Sequence, residues 1–180
     1  MDNVRQSECF TIRVGGYESR FSSAHFTIFG ERREPLHGHN YEVRLEVAGV
    51  LTEDGYVLDF GEAKAVLRDI CSQLDHKVIV PTGHAALTVE RVGGSVEVSF
   101  RADSFRFPAD DVLLLPISNA TTELLARYIC RLVVEAFLAS GHDNVTGVCV
   151  SVEEAGGQVA SYREQVRCSQ SAHRSFVAVP

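Results

Sequence analysis

Two histidines separated by a single glycine are the residues in this sequence best suited to chemistry. His37 and His39 lie two positions apart, so their side chains share one face of an extended strand. His25 ends an earlier strand-like run, and pairing of the two segments would bring three imidazoles together. Three imidazoles without cysteine suit Zn²⁺ and leave a fourth position open for water or substrate. The alternative is that they are ordinary strand histidines satisfied by hydrogen bonds.

The segments that carry these histidines have the alternating pattern of long antiparallel strands. Apolar and polar residues alternate from about 9 to 26 and again from about 38 to 50. Two later stretches, 145–153 and about 158–166, predict a further pair of strands joined at Gly156-Gly157. Short apolar runs between about 85 and 107 predict an inserted β-hairpin.

Two segments with helical periodicity separate these strands. Asp59 can cap the first helix, with Glu62 three residues later as in a capping box. The second helix is predicted to begin near Thr121 and to end before Gly141, which suits a C-terminal cap. The order of elements predicts an α+β fold: a four-stranded antiparallel sheet with two helices on one face and an inserted hairpin.

Length and charge restrict the classes of protein. The 180 residues suit a single domain spanning 1–180, with a core at about 9–166 and a weakly structured tail at about 168–180. A formal net charge of −7 argues against binding to nucleic acid or to an anionic membrane surface. No apolar run approaches the roughly 20 residues of a membrane span.

The N-terminus and the cysteines indicate a reducing, cytoplasmic location. Residues 1–8 contain no apolar segment of the kind found in secretory signals. The five cysteines are odd in number and widely spaced, which favours free thiols over disulfides or a thiolate metal site.

Six short motifs, in this order along the chain, resemble the 6-pyruvoyl-tetrahydropterin synthase family. They are Phe21-Ser22-Ser23-Ala24-His25, Leu36-His37-Gly38-His39-Asn40-Tyr41, Val57-Leu58-Asp59-Phe60, Leu74-Asp75-His76, Thr121-Thr122-Glu123 and Val152-Glu153-Glu154. The resemblance implies a zinc-dependent lyase with the tunnelling fold. In that fold trimers close into a twelve-stranded barrel and two trimers form a homohexamer. It also implies a pterin triphosphate as substrate.

The same resemblance suggests roles for individual residues. His25, His37 and His39 match the zinc ligands, and Glu154 matches a glutamate that holds the pterin ring. Thr121, Thr122 and Glu123 match a segment that lines the pterin pocket, although Thr121 can equally be a plain helix cap. Asp75 can orient His76 for proton exchange, although such a pair at the end of a helix is often only structural.

One departure from the family pattern concerns the residue before the histidine pair. Typical members have a cysteine there, whereas this chain has no cysteine between Cys9 and Cys71 and offers Glu34 instead. Glu34-Pro35-Leu36-His37 resembles the subgroup associated with cleavage of 7,8-dihydroneopterin triphosphate to 6-hydroxymethyl-7,8-dihydropterin, a folate precursor. Alternatively, Glu34 pairs with Arg32 or Arg33 on a solvated loop.

Three functions stay open on sequence grounds. The first is the retro-aldol cleavage just described, with Glu34 as general base. The second keeps the zinc and the substrate but yields the 6-pyruvoyl or the 6-carboxy pterin. The third is a non-catalytic pterin-binding or zinc-binding protein.

Overall fold

The structure is a computed structural model that describes residues 8–166, and this range forms two α-helices and eleven strands. In chain order the elements are β1 (Phe10–His25), β2 (Ile28–Phe29), β3 (Arg32–Arg33), β4 (His37–Gly49), α1 (Phe60–Leu74), β5 (Lys77–Pro81), β6 (Leu87–Val92), β7 (Ser95–Phe100), β8 (Asp103–Pro108), a 3₁₀ turn (Ala109–Asp111), β9 (Val112–Leu115), α2 (Thr122–Ala139), β10 (Val145–Ala155) and β11 (Gln158–Gln165). The α+β class is confirmed. The predicted tail at 168–180 lies outside the described residues.

Six strands form the main sheet in the order β11-β10-β4-β1-β5-β9. The four predicted strands are antiparallel neighbours within it, but β5 runs parallel to both β1 and β9. The prediction of a four-stranded, purely antiparallel sheet is therefore wrong in strand number and in direction. The added strands have only five and four residues and, apart from Lys77, are continuous apolar runs, so neither offers an alternating pattern.

The predicted hairpin at 85–107 is a separate three-stranded sheet, called the inserted sheet below, formed by β6, β7 and β8. Its third strand was missed because the turn at Arg101-Ala102 contains neither glycine nor proline; Arg101 itself takes a positive φ of 55°. The inserted sheet has its own apolar cluster, in which Val96, Val98 and Phe100 pack with Phe26 and other residues of the main sheet region.

The alternating pattern of β4 explains why the main sheet has one covered face. Tyr41, Val43 and Leu45 are fully buried and belong to a core that both helices share with the sheet. The intervening residues Glu42 and Arg44 point to the opposite face, where they form an ion pair at 2.9 Å. One apolar and one polar face are expected of an antiparallel sheet covered on one side.

Both helices begin as predicted. The Asp59 side chain accepts a hydrogen bond from the Glu62 amide at 3.0 Å, and Thr121 Oγ1 accepts one from the Leu124 amide at 3.4 Å. Caps of this kind stabilise a helix by about 1 kcal/mol each. Gly141 follows α2 with φ of 79°, a conformation that glycine adopts without strain. Within the described residues, neither helix is sufficiently long and apolar to cross a membrane.

Candidate metal centre and adjoining cavity

The pairing of β1 with β4 brings three histidines together. His25 lies directly opposite His37, and His39 lies opposite Ser23 two positions along. Because alternate residues of a strand share a face, all three imidazoles project to the same side. One nitrogen from each lies within 4.8 Å of the other two. Glycine at position 38 allows the two strands to lie close together, because a Cβ there would be only 3.3 Å from the carbonyl oxygen of Ser23.

Backbone carbonyls orient two of the imidazoles. His25 Nδ1 lies 2.7 Å from the carbonyl oxygen of Ala120, and His37 Nδ1 lies 2.8 Å from that of Pro35. Because a carbonyl oxygen can only accept, Nδ1 of each ring carries the proton and donates it. This tautomer leaves Nε2 of each ring as the nitrogen that can bind a metal, as in other histidine ligands whose second ring nitrogen donates a hydrogen bond.

The buried Nε2 of His25 gives the strongest indication of a cation. It has no hydrogen-bond partner among the described residues, yet it lies 3.1 Å from Oε1 of Glu154. Burial lowers the pKa of His25, and this outweighs the opposite effects of the Ala120 carbonyl and the Glu154 carboxylate. A neutral imidazole and a carboxylate thus face each other with lone pairs. A metal ion held by His25, His37 and His39 fits this arrangement.

Glu154 lies beside the three histidines and is fixed by two hydroxyl groups. Its Oε1 accepts from the Tyr41 hydroxyl at 3.3 Å and lies 3.4 Å from Nε2 of His39, while Oε2 accepts from Thr122 Oγ1 at 3.0 Å. Tyr41 was not among the predicted site residues. Its burial, followed by the nearby Glu154 carboxylate, raises its pKa, so Tyr41 stays a neutral donor.

A cavity of about 500 Å³ opens beside the histidines and collects most of the predicted site residues. Its volume is in the range of sites for small molecules. Three carboxylates, those of Glu34, Glu123 and Glu154, contribute to its lining. The other lining residues are Thr27, Phe29, His37, His39, Thr121, Thr122, Gln158, Val159 and Ala160. The cavity therefore suits a ligand that donates hydrogen bonds and can also reach a metal ion.

The loop before β4 presents Glu34 to this cavity. The sequence left open that Glu34 pairs with a neighbouring arginine, but Arg33 pairs with Asp103 of the inserted sheet at 2.8 Å. In the range 8–166 neither Arg32 nor Arg33 forms an ion pair with the Glu34 carboxylate. The carboxylate is thus free to act in the cavity.

Within one chain the Asp75–His76 pair lies outside the cavity that Glu34 lines. The His76 side chain is 84% exposed, its φ is positive at 56°, and it lines a second cavity to which His39 also contributes. Asp75 is 2.8 Å from His76 Nδ1 and accepts from the Ser22 amide at 2.7 Å. Burial would raise the pKa of Asp75, but these two hydrogen bonds together lower it. The sequence predicts that this pair belongs to the site; within one chain His76 shares a cavity with His39 but does not line the cavity of Glu34 and Glu154.

Several cavity residues carried no recognisable signal in the sequence. Gln158, Val159 and Ala160 line it because the turn after β10 returns the chain past Glu154. Phe29 lines it from the short hairpin of β2 and β3. Phe29 and Val159 are 63% and 48% exposed, an unusual position for large apolar side chains that only the structure reveals.

Comparison with known proteins places the chain in a family. The family model described as 6-pyruvoyl tetrahydropterin synthase matches residues 16–165. A protein of Methanocaldococcus jannaschii, provisionally named 6-carboxy-5,6,7,8-tetrahydropterin synthase, is 34% identical over 146 residues, which are 81% of this chain and 90% of that protein. A dihydroneopterin monophosphate aldolase of Pyrococcus furiosus is 36% identical over 61 residues, 34% of this chain and 52% of that protein.

A solved structure shows the same fold. It is a Plasmodium vivax 6-pyruvoyltetrahydropterin synthase in which a glutamate described as a catalytic residue is replaced by alanine. The two folds superpose with a TM-score of 0.82 at 31% identity, over 88% of this chain and 99% of that one. The predicted tunnelling fold and the predicted lyase class are thereby confirmed. The chain belongs to the 6-pyruvoyl tetrahydropterin synthase family.

Proposed function

We propose that the protein is a zinc-dependent lyase that cleaves 7,8-dihydroneopterin triphosphate to 6-hydroxymethyl-7,8-dihydropterin. The observation that carries this proposal is that Glu34 lines the same cavity as His37, His39 and Glu154. A carboxylate base, two of the proposed metal ligands and a second carboxylate thus surround one space. A bound zinc ion supplies a Lewis acid that polarises the hydroxyl groups of the substrate side chain.

Glu34 is assigned the role of general base. It removes the proton from the second side-chain hydroxyl, which becomes the carbonyl of the departing aldehyde with its triphosphate. The bond between the first and second side-chain carbons breaks, and its electron pair passes to the carbon attached to the pterin. That carbon takes a proton, which Glu34 can return, and becomes the hydroxymethyl group. The related Plasmodium vivax protein, with its catalytic glutamate, supports this assignment.

Glu154 is assigned to the pterin ring. Its carboxylate can accept two hydrogen bonds from the guanidine-like edge of a pterin, an arrangement that gives geometric specificity. Its present donors, Tyr41 and Thr122, fix its orientation before the substrate arrives. Thr121 and Glu123 line the same cavity and complete the proposed pterin pocket.

Replacing Glu154 by glutamine should weaken pterin binding while zinc stays bound. The charge that strengthens the two hydrogen bonds is lost, at a cost of roughly 1.5–3 kcal/mol, or about tenfold to a hundredfold in affinity. Calorimetric titration with neopterin, which carries no phosphate, measures the effect. Glu153→Gln is the matched control, because Glu153 pairs with Arg44 at 3.3 Å and does not line the cavity. If the two variants bound neopterin with equal affinity, Glu154 would not be the residue that holds the pterin ring.

The proposed reaction is tested by identifying the product. Zinc-loaded protein is incubated with 7,8-dihydroneopterin triphosphate, and the pterin products are separated by chromatography and identified by mass spectrometry. We expect 6-hydroxymethyl-7,8-dihydropterin and an aldehyde that carries the triphosphate. A dominant 6-pyruvoyl product would contradict the assignment, and absence of turnover would favour a binding protein.

The second candidate function is synthesis of 6-carboxy-5,6,7,8-tetrahydropterin. It is favoured by the likeness to the Methanocaldococcus jannaschii protein, which covers far more of the chain than the likeness to the Pyrococcus furiosus aldolase. The same product analysis distinguishes the two reactions, because the carboxylate changes both the mass and the charge of the pterin.

We propose that the protein assembles into a homohexamer of two barrel trimers. The main sheet ends in β9 and β11, and closing a barrel between copies removes such edges. An assembly could also bring Asp75 and His76 of one copy to the cavity of another, where the pair could exchange protons. Sedimentation velocity at micromolar protein should give a species of about six times the mass of one chain, and a monomer would refute the assembly.

A further inference from the structure

The inserted sheet packs directly against the loop that carries Glu34. Phe105 of β8 stacks on Phe26, which lies just after β1, with ring centroids 5.4 Å apart and planes inclined by 16°. Phe26 is fully buried in the apolar cluster of the inserted sheet. Leu36, on the other side of the short hairpin of β2 and β3, packs against the same cluster, so the chain is held on both sides of that hairpin.

Arg33 is the residue through which the inserted sheet contacts the Glu34 backbone. Its Nε donates to Asp103 Oδ2 at 2.8 Å, and its guanidinium carbon lies 4.6 Å from the centre of the Phe105 ring. The Arg33 side chain is only 19% exposed. A guanidinium group held between a carboxylate and an aromatic face has little freedom to move.

The same guanidinium group also donates to the main chain of Glu34. Arg33 Nη1 donates to the Glu34 carbonyl oxygen at 2.9 Å, and the Glu34 amide donates to the carbonyl oxygen of Thr27 at 2.9 Å. Both backbone polar groups of Glu34 are therefore paired. The next residue, Pro35, accepts the hydrogen bond that orients His37. The Arg33 guanidinium group therefore holds the backbone between the proposed base, Glu34, and the proposed ligand His37.

A second ion pair between the same loop and the inserted sheet provides a comparison. Arg101 lies 2.9 Å from Glu31, but the side chains are 53% and 84% exposed, and such surface pairs contribute little. Neither Glu31 nor Arg101 contacts Glu34 or lines the cavity. Removal of this pair therefore serves as a control for loss of a loop-to-sheet contact that does not reach Glu34.

We propose that Arg33, held by Asp103 and Phe105, is a positioning residue for Glu34, and that the inserted sheet serves the reaction by holding this arginine. The inference rests on the proposed role of Glu34 as base. Misplacement of a catalytic group by about 1 Å can cost on the order of a hundredfold in rate. Loss of the Arg33 contacts should therefore lower kcat and leave KM and zinc nearly unchanged.

The test is a double-mutant cycle between Arg33 and Glu34. Lysine has a single ammonium group in place of the planar guanidinium group, so it cannot hold Asp103 and the Glu34 carbonyl in the same geometry. We therefore expect Arg33→Lys to lower kcat by about tenfold to a hundredfold. KM should change less than about threefold, and zinc content should stay the same. In the Glu34→Ala background, Arg33→Lys should have no further effect on the residual rate. Asp103→Ala should act in the same direction, and Arg101→Met should leave kcat unchanged.

Failure of this inference is distinguishable from failure of the proposed function. If Glu34→Ala is inactive but Arg33→Lys keeps full kcat, the positioning role is overturned and the base assignment stands. Equal losses from Arg33→Lys in both backgrounds, or a loss in step with zinc content or melting temperature, would also overturn it by indicating a general structural role. Full activity of Glu34→Ala would overturn both the assignment of Glu34 as base and the positioning role of Arg33.

Discussion

Replacing His37 by alanine is expected to remove bound zinc and turnover together. The variant loses one of three proposed ligands, and two imidazoles alone do not make the usual catalytic zinc site. Zinc should fall from about one ion per chain to almost none after gel filtration, as measured by elemental analysis. The rate of pterin formation should fall to the level of a blank, because the Lewis acid is absent.

A matched control removes a histidine outside the site. The His84 ring accepts a hydrogen bond from the Ala86 amide at 3.1 Å and does not belong to the cluster of three. His84→Ala should therefore keep full zinc content and turnover. Stoichiometric zinc in the His37→Ala protein would show that the metal is held elsewhere and would end the assignment of His25, His37 and His39.

Replacing Glu34 by alanine should abolish most turnover without affecting zinc or the fold. General base catalysis typically contributes 10²- to 10⁴-fold, so we expect kcat to fall by about that factor. Glu34 is half-buried and lies outside the cluster of three histidines, so the melting temperature should change little. Steady-state kinetics together with zinc analysis measures both expectations.

Two further variants make the test of Glu34 specific. Glu34→Cys restores the residue type of typical family members and should move products toward the 6-pyruvoyl pterin. Glu31→Ala removes a carboxylate from the same loop, but Glu31 pairs with Arg101 and does not line the cavity, so its activity should be normal. Full activity of Glu34→Ala would shift the base to Glu31 or to the Asp75–His76 pair, and the product assignment would lose its support.

The sequence predicted the features that depend on neighbours along the chain. Asp59 and Thr121 cap their helices because the partner amide lies three residues away, which spacing alone reveals. The strand of His37 and His39 is predicted because its apolar and polar residues alternate, and the buried and exposed positions of β4 follow that alternation. These signals were sufficient to identify the face on which the histidines meet.

The features that were missed depend on residues far apart in sequence. Arg33 meets Asp103 across 70 residues, and Tyr41 meets Glu154 across 113, so no local pattern connects either pair. β9 is a continuous apolar run of four residues, and its parallel pairing with β5 arises only in the folded sheet. The motif predicts His76 as a site residue, and in one chain its position after α1 places it in a second cavity that shares only His39 with the cavity of Glu34.

His25 and His37 pair directly across two neighbouring strands, and Glu34 lies on the loop that connects those strands. The backbone positions of these proposed ligands follow from the register of β1 and β4, whereas Pro35, one of the eleven residues between them, orients the His37 ring. On the proposed roles, an exchange at Glu34 can alter the reaction without removing any of the three histidines. For redesign of this scaffold, the proposed roles imply that product specificity can be varied in one connecting loop while the three histidines of β1 and β4 are kept.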